Sequence, residues 1–138
     1  MSLSAILIGN ASLTQTCAEK WLAAGHSLSH VVTHNGALEV WAASHGIPVV
    51  KPGQGLAARL AGAKVDWLLS IANLDMLPDD VLALPSLGAI NFHDGPLPRY
   101  AGLNAPVWAR LNGETHHGIT WHFMGSGSDT GDIILQAD

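Results

Sequence analysis

The sequence predicts an α/β fold whose strands form a mainly parallel sheet with helices on both faces. Three observations predict it. Short apolar runs of strand length recur along the chain, segments with helical spacing separate them, and Gly, Pro or Asn punctuates most junctions. Strands joined through helices of about ten residues imply βαβ units, because a parallel pair needs a crossover connection. The 138 residues suffice for one domain with its own core, and neither an internal repeat nor a linker interrupts residues 1–138.

The elements follow in order. Ala5-Ile6-Leu7-Ile8 is a buried first strand stopped by Gly9-Asn10. Ser12 is placed to cap a helix running to Ala24, with Gly25 as its stop and Leu13, Cys17 and Trp21 as its apolar stripe. Residues 28–33 read as a second strand and residues 37–45 as a helix carrying Leu38, Trp41 and Ala42 on one face. Ile47-Pro48-Val49-Val50 is a short strand whose proline, lacking an N–H, belongs at an edge. Residues 56–61 are helical, and Asp66 to Ile71 is the most apolar strand candidate. Pro78-Asp79-Asp80 opens another helix with residues suited to a first turn. Strands over 87–93, 118–124 and 133–136, with a helix over 104–111, complete the pattern.

Composition excludes several classes. Only six residues are Lys or Arg, no two adjacent, and the net charge is −5, which argues against the chain gripping nucleic acid by itself. No apolar stretch approaches the roughly 20 residues of a membrane span, and the first residues lack a signal-peptide pattern. A single cysteine, Cys17, reads as a small buried hydrophobe and suits a reducing compartment, so a cytoplasmic location is expected. Gly9-Asn10-Ala11-Ser12 matches neither the dinucleotide nor the P-loop glycine pattern.

The chemistry concentrates near residue 91. A buried parallel strand should be almost wholly apolar, yet Asn91 and His93 occupy the end of this one. Side chains two apart on a strand point the same way, and the crevice beyond the carboxyl ends of parallel strands is where ligands bind. An amide and an imidazole held side by side there can stabilise a developing oxyanion. A second stretch, Gly125 to Asp132, lodges the carboxylate of Asp129 among small residues that let a ligand approach the backbone. A carboxylate beside an imidazole favours its charged form and can accept a proton from an attacking amine. Together the three side chains suit acyl transfer to nitrogen. His116-His117 beside Glu114 does not read as a metal site, since adjacent strand residues face opposite ways. His122 could line the crevice or simply pack, and the tryptophans at 21, 41, 67, 108 and 121 read as core.

From Asn91 to Gln136 the chain carries an Asn-x-His strand end, a Leu-Pro-x-Tyr-x-Gly loop, an Asn-Gly-Glu turn, a Gly-x-Thr-x-His strand and an Asp-x-Gly-Asp-Ile loop. Five linked motifs in this order resemble the folate-dependent formyltransferase family, and the strand–helix order from Ile6 onward agrees. The resemblance implies a Rossmann-like domain with 10-formyltetrahydrofolate as formyl donor and no metal. It gives Asn91 the formyl oxygen, His93 the charge of the tetrahedral intermediate, and Asp129 the orientation of His93 and removal of the amine proton. It places the pterin against Leu74, Asp75, Met76 and Leu77, against Ala89, and against Gly125, Ser126, Gly127 and Ser128, largely through backbone groups.

Departures refine the expectation. Asp94-Gly95-Pro96-Leu97-Pro98 follows the histidine where many relatives have Pro-Ser-Leu-Leu-Pro, which resembles formyltransferase domains of nonribosomal peptide synthetases. Relatives continue well past Gln136, so the resemblance implies a catalytic domain incomplete at its C-terminus. The loop after the second strand lacks the basic insertion expected for initiator-tRNA acceptors, and the first turn only partly echoes the phosphate loop of glycinamide-ribonucleotide enzymes. An aminoacyl group on a carrier protein, or an amino sugar, fits these absences as the amine acceptor. Two other readings stay open: a formyltetrahydrofolate hydrolase using the same residues with water, and a noncatalytic folate-binding or docking module of a larger synthetase.

Overall fold

The computed structural model describes residues 1–125 and 131–138. The chain divides into two compact units, Met1–Ala89 and Ile90–Asp138.

The first unit holds β1 (Ser4–Ile8), α1 (Ser12–Ala23), β2 (Ser27–Val32), α2 (Gly36–Ser44), β3 (Val49–Val50), α3 (Leu56–Arg59), β4 (Trp67–Ser70) and α4 (Asp79–Leu82). Its strands run in the order β3-β2-β1-β4 and every pair is parallel. Strand β1 is central, so Ile6, Leu7 and Ile8 are buried on both faces, each contributing roughly 1.5–3 kcal/mol of transfer free energy. Val31, Val32 and Leu68 extend that core. The short β3, preceded by Pro48, closes one side of the order as its proline predicts. Asn35 caps α2 by accepting a hydrogen bond from the Leu38 amide at 3.0 Å.

Helix α1 departs from its expected register. Ala11 is the N-cap and Ser12 already lies within the first turn. The side chains turned inward are Thr14 and Ala18, whereas Leu13 is exposed and Cys17 and Trp21 are half-buried. The reason is Gly9. A Cβ there would stand 1.9 Å from the Ile71 carbonyl oxygen and 2.5 Å from the Thr14 hydroxyl, so the turn brings α1 in close with Thr14 foremost. The Thr14 hydroxyl donates to that same carbonyl at 2.8 Å, which satisfies a hydroxyl that the packing buries. Burial pushes the Cys17 thiol up, with Lys20 acting in the opposite sense.

The boundary between units falls within β5 (Gly88–His93). The second unit continues through α5 (Ala105–Leu111), β6 (Ile119–Phe123) and β7 (Ile133–Ala137). Strands β5, β6 and β7 lie in that order as antiparallel neighbours. Helix α5 buries only its small residues Ala105 and Ala109, which turns Trp108 outward at 56% exposure. Trp108 is therefore not a core residue, contrary to the sequence pattern. Among the described residues no helix is long and apolar enough to cross a membrane.

Candidate active site

Asn91 and His93 stand two apart at the end of β5, on one face of the strand and beside β6. In the antiparallel register Asn91 faces His122 and His93 faces Thr120. The Asn91 amide nitrogen lies 3.2 Å from Nε2 of His122. Nδ1 of His122 is 2.9 Å from the Phe123 carbonyl, an oxygen that can only accept, so Nδ1 carries the proton. Nε2 is then an acceptor, and the Asn91 amide presents its N–H to it. One N–H of that amide is thereby oriented while the group keeps a second donor for a ligand oxygen.

His93 is buried, and its Nε2 donates to the Tyr100 carbonyl at 2.5 Å. Its Nδ1 stands 3.9 Å from a carboxylate oxygen of Asp94, whose side chain is half exposed. Thr120, opposite His93, is fully buried and fastens the loop that follows. Its hydroxyl donates to the Gly95 carbonyl at 2.7 Å and accepts from the Leu97 amide at 3.1 Å and from Gln136 at 3.0 Å. Gln136 also donates to the Leu97 carbonyl at 2.5 Å.

Further out, Nε2 of His117 donates to the Asp94 carbonyl at 2.6 Å. Glu114 receives Arg99 at 2.7 Å and the Tyr100 hydroxyl at 3.1 Å. The Tyr100 hydrogen bond, then Arg99, holds the Glu114 carboxyl below the usual range, and Glu114 in turn raises the Arg99 guanidinium. His117 and Glu114 thus serve to anchor the loop over residues 94–100.

The expected site residues therefore fall into three groups. The second unit brings Asn91 and His93 together with His122 and Thr120. The Gly-x-Thr-x-His spacing contains that pair, although it is the strand register that assigns their partners. In the first unit Asp75, Met76 and Leu77 line a cleft of about 320 Å³ with Ile8, Gln54, Leu56 and neighbouring residues. Leu74 instead points outward at 76% exposure, and Ala89 is buried in β5. Gly125 is exposed, while Ser126, Gly127, Ser128 and Asp129 lie outside the described residues.

Comparison with known proteins gives a consistent picture. The methionyl-tRNA formyltransferase of Synechococcus sp. (strain JA-3-3Ab) is 41% identical over 104 residues, covering 72% of this chain and 32% of that protein. That of Anaeromyxobacter dehalogenans (strain 2CP-C) is 37% identical over 129 residues, covering 82% of this chain and 41% of that protein. The chain thus spans about a third of the length of the first of these curated relatives. Among solved structures, glycinamide ribonucleotide transformylase 1 from Symbiobacterium toebii superposes with a TM-score of 0.84 at 25% identity, covering 99% of this chain and 72% of that one. A formyltetrahydrofolate deformylase from Pseudomonas syringae pv. tomato str. DC3000 shares the fold, with a TM-score of 0.86 at 18% identity over 99% of this chain and 51% of that one. Residues 16–138 match the formyl transferase family, and with the Asn91–His93 strand end in place the chain belongs to that family.

Proposed function

We propose that this chain takes part in transferring a formyl group from 10-formyltetrahydrofolate to a primary amine, the α-amine of an aminoacyl group. The observation that carries the reading is the strand end itself. A buried imidazole and an amide oriented by a second imidazole share one side of β5, an arrangement suited to charge developing on an acyl oxygen.

The folate donor supplies an activated formyl group. The second N–H of Asn91 stabilises the formyl oxygen as the amine nitrogen bonds to the carbon. His93 adds electrostatic stabilisation, and Asp129 takes the proton that the amine gives up. The folate nitrogen leaves as the carbon–nitrogen bond to it breaks, and it takes up the proton that the amine gave to Asp129. Asp75, Met76 and Leu77 serve the pterin. Their cleft of about 320 Å³ falls in the size range of small-molecule sites, and it mixes apolar walls with one carboxylate.

The acceptor class rests on two supports. The curated relatives are named for an aminoacylated tRNA, and Asp94-Gly95-Pro96-Leu97-Pro98 is the loop variant that resembles formyltransferase domains of peptide synthetases. A carrier-protein thioester is accordingly the favoured form of the aminoacyl acceptor.

Calorimetry with a stable 10-formyl analogue, followed by turnover with aminoacyl carrier protein, methionyl-tRNA and an amino sugar, tests the proposal. Binding with transfer to the carrier-bound amine supports it, and Asn91→Ala and His93→Ala then keep most of the affinity while losing turnover. Formate release without an added amine would assign a hydrolase. Binding without any turnover would assign a noncatalytic module.

A further inference from the structure

The loop that follows β5 contains a contact between main chain and side chain that the reaction sketched above does not use. Tyr100 adopts φ +58°, a left-handed backbone that bulky residues rarely take, and in that conformation its carbonyl reaches Nε2 of His93 at 2.5 Å. A strained backbone persists only where its surroundings fix it, and here the side chain of the same residue is fixed. Its hydroxyl donates to Glu114 at 3.1 Å and accepts from the Asn112 amide at 3.3 Å. Arg99 shares the Glu114 oxygen at 2.7 Å and lies with its guanidinium carbon 5.5 Å from the Tyr100 ring centroid.

Gly95 provides a second, independent sign that the contact is maintained. A Cβ at that position would stand 2.9 Å from Nε2 of His93 and 3.0 Å from the Tyr100 carbonyl oxygen. Any other residue there would press on both ends of the hydrogen bond. The space around it is kept clear.

We propose that Tyr100 and Glu114 are positioning residues for His93: their side-chain contact holds the Tyr100 carbonyl on Nε2 and thereby fixes which ring nitrogen carries the proton. A carbonyl can only accept, so Nε2 must donate, while Nδ1 stands 3.9 Å from the Asp94 carboxylate. A ring protonated only at Nδ1 would leave Nε2 facing a carbonyl with no hydrogen to offer. The motif spacing gains a reason: the Leu-Pro-x-Tyr loop supplies the carbonyl and the Asn-Gly-Glu turn supplies the anchor.

The proposal rests on the acyl-transfer reading for its consequence in catalysis, but its core is a statement about a tautomer and is measurable without turnover. The full chain labelled with nitrogen-15 histidine is examined by long-range proton–nitrogen correlation, with the His93 signals assigned by their loss in His93→Gln. The parent should show the Nε2–H form. Tyr100→Phe and Glu114→Ala should bring the Nδ1–H form into view. Glu114→Gln, whose amide oxygen still accepts from the phenol, should keep the parental pattern.

Where the parent transfers formyl groups, the same two variants should lose about tenfold in kcat with the donor KM within about twofold. Glu114 lies at a turn, so its alanine variant keeps the test available if Tyr100→Phe fails to fold. A parental tautomer in folded Glu114→Ala overturns the proposal, as does an Nδ1–H form in the parent. Absence of transfer by the parent, with the tautomer responding as stated, would count against the functional reading alone.

Discussion

The amide of Asn91 and the imidazole of His122 face each other across the β5–β6 ladder at 3.2 Å, and the ring's other nitrogen is tied to a main-chain carbonyl. The orientation of Asn91 is therefore set by His122. On the proposed acyl-transfer reading, Asn91→Ala should lower formyl transfer by about 10²–10³-fold, the usual cost of losing one oxyanion donor. His122→Ala should cost about tenfold or more, because the amide persists but can rotate. The double variant should fall little below Asn91→Ala alone, since both changes remove one interaction. Single-turnover assays on the four proteins measure this. Additive losses would mean that His122 acts separately.

Gly9 allows α1 to pack against the end of β4, with the Ile71 carbonyl oxygen 1.9 Å from where a Cβ would sit. That atom is main chain and cannot swing aside. Gly9→Ala should destabilise by about 3 kcal/mol, the upper part of the overpacking range, and lower the melting temperature by roughly 10 °C. Thermal unfolding followed by circular dichroism reads both. A shift of a degree or two would mean that the helix can move away at small cost.

Arg59 secures the segment that forms one wall of the cleft. Its guanidinium donates to the carbonyls of Gln54 at 2.6 Å and Lys51 at 2.8 Å, with Gly53 at 3.5 Å, and Gly53 and Gln54 line the cleft. A lysine offers a single point of donation and cannot reproduce this fork. Arg59→Lys should weaken binding of a 10-formyl folate analogue several-fold, or about 1 kcal/mol, comparable with losing one or two hydrogen bonds. Calorimetric titration checks it, and unchanged affinity would remove the 52–54 wall from the folate site.

How far the sequence foretold this site depends on the kind of information each residue carries. Alternation by two placed Asn91 and His93 on one side of β5, and the antiparallel register agrees. The same alternation leaves His122 open between packing and lining, because a pattern gives the side of a strand but not the ring nitrogen that finds a partner. Pro48 marked a border strand correctly, since a missing N–H is a local property. Helix α1 was legible in extent but not in facing. Leu13, Cys17 and Trp21 have the better apolar spacing, yet Gly9 and the Thr14 hydroxyl decide which side turns inward, a contact between residues 62 apart. Trp108 failed for a related reason, as α5 packs through alanines. The clamp on His93 was unreadable because it depends on a backbone carbonyl, which has no letter in the sequence.

Glu114 gives the loop over residues 94–100 a pH dependence of definite sign. Its folded-state carboxyl is held below the ordinary value by the Tyr100 hydroxyl and Arg99. A depressed value means that the ionised form is favoured by folding, so the stabilisation is complete above the unfolded glutamate pKa, about 4.3, and is lost as pH falls through the lower folded value. Glu114→Gln should therefore narrow the gap in loop stability between pH 6 and acid solution. Amide hydrogen exchange across residues 94–100 at a series of pH values reports it. Identical acid profiles for parent and variant would show that the ion pair contributes nothing there, as often holds for exposed pairs.

Among the described residues strand β7 stands last in the strand order, and all five of its residues are exposed, Ile133, Ile134 and Leu135 among them at 46%, 45% and 57%. A border strand of this kind, apolar on both sides and free of charge from Ile133 to Ala137, is a ready template for any extended peptide that meets it. The practical consequence is colloidal. Preparations of this chain should cloud with rising concentration long before the parallel sheet of the first unit melts, and a single lysine in place of Ile134 should clear them without disturbing the Asn91–His122 contact.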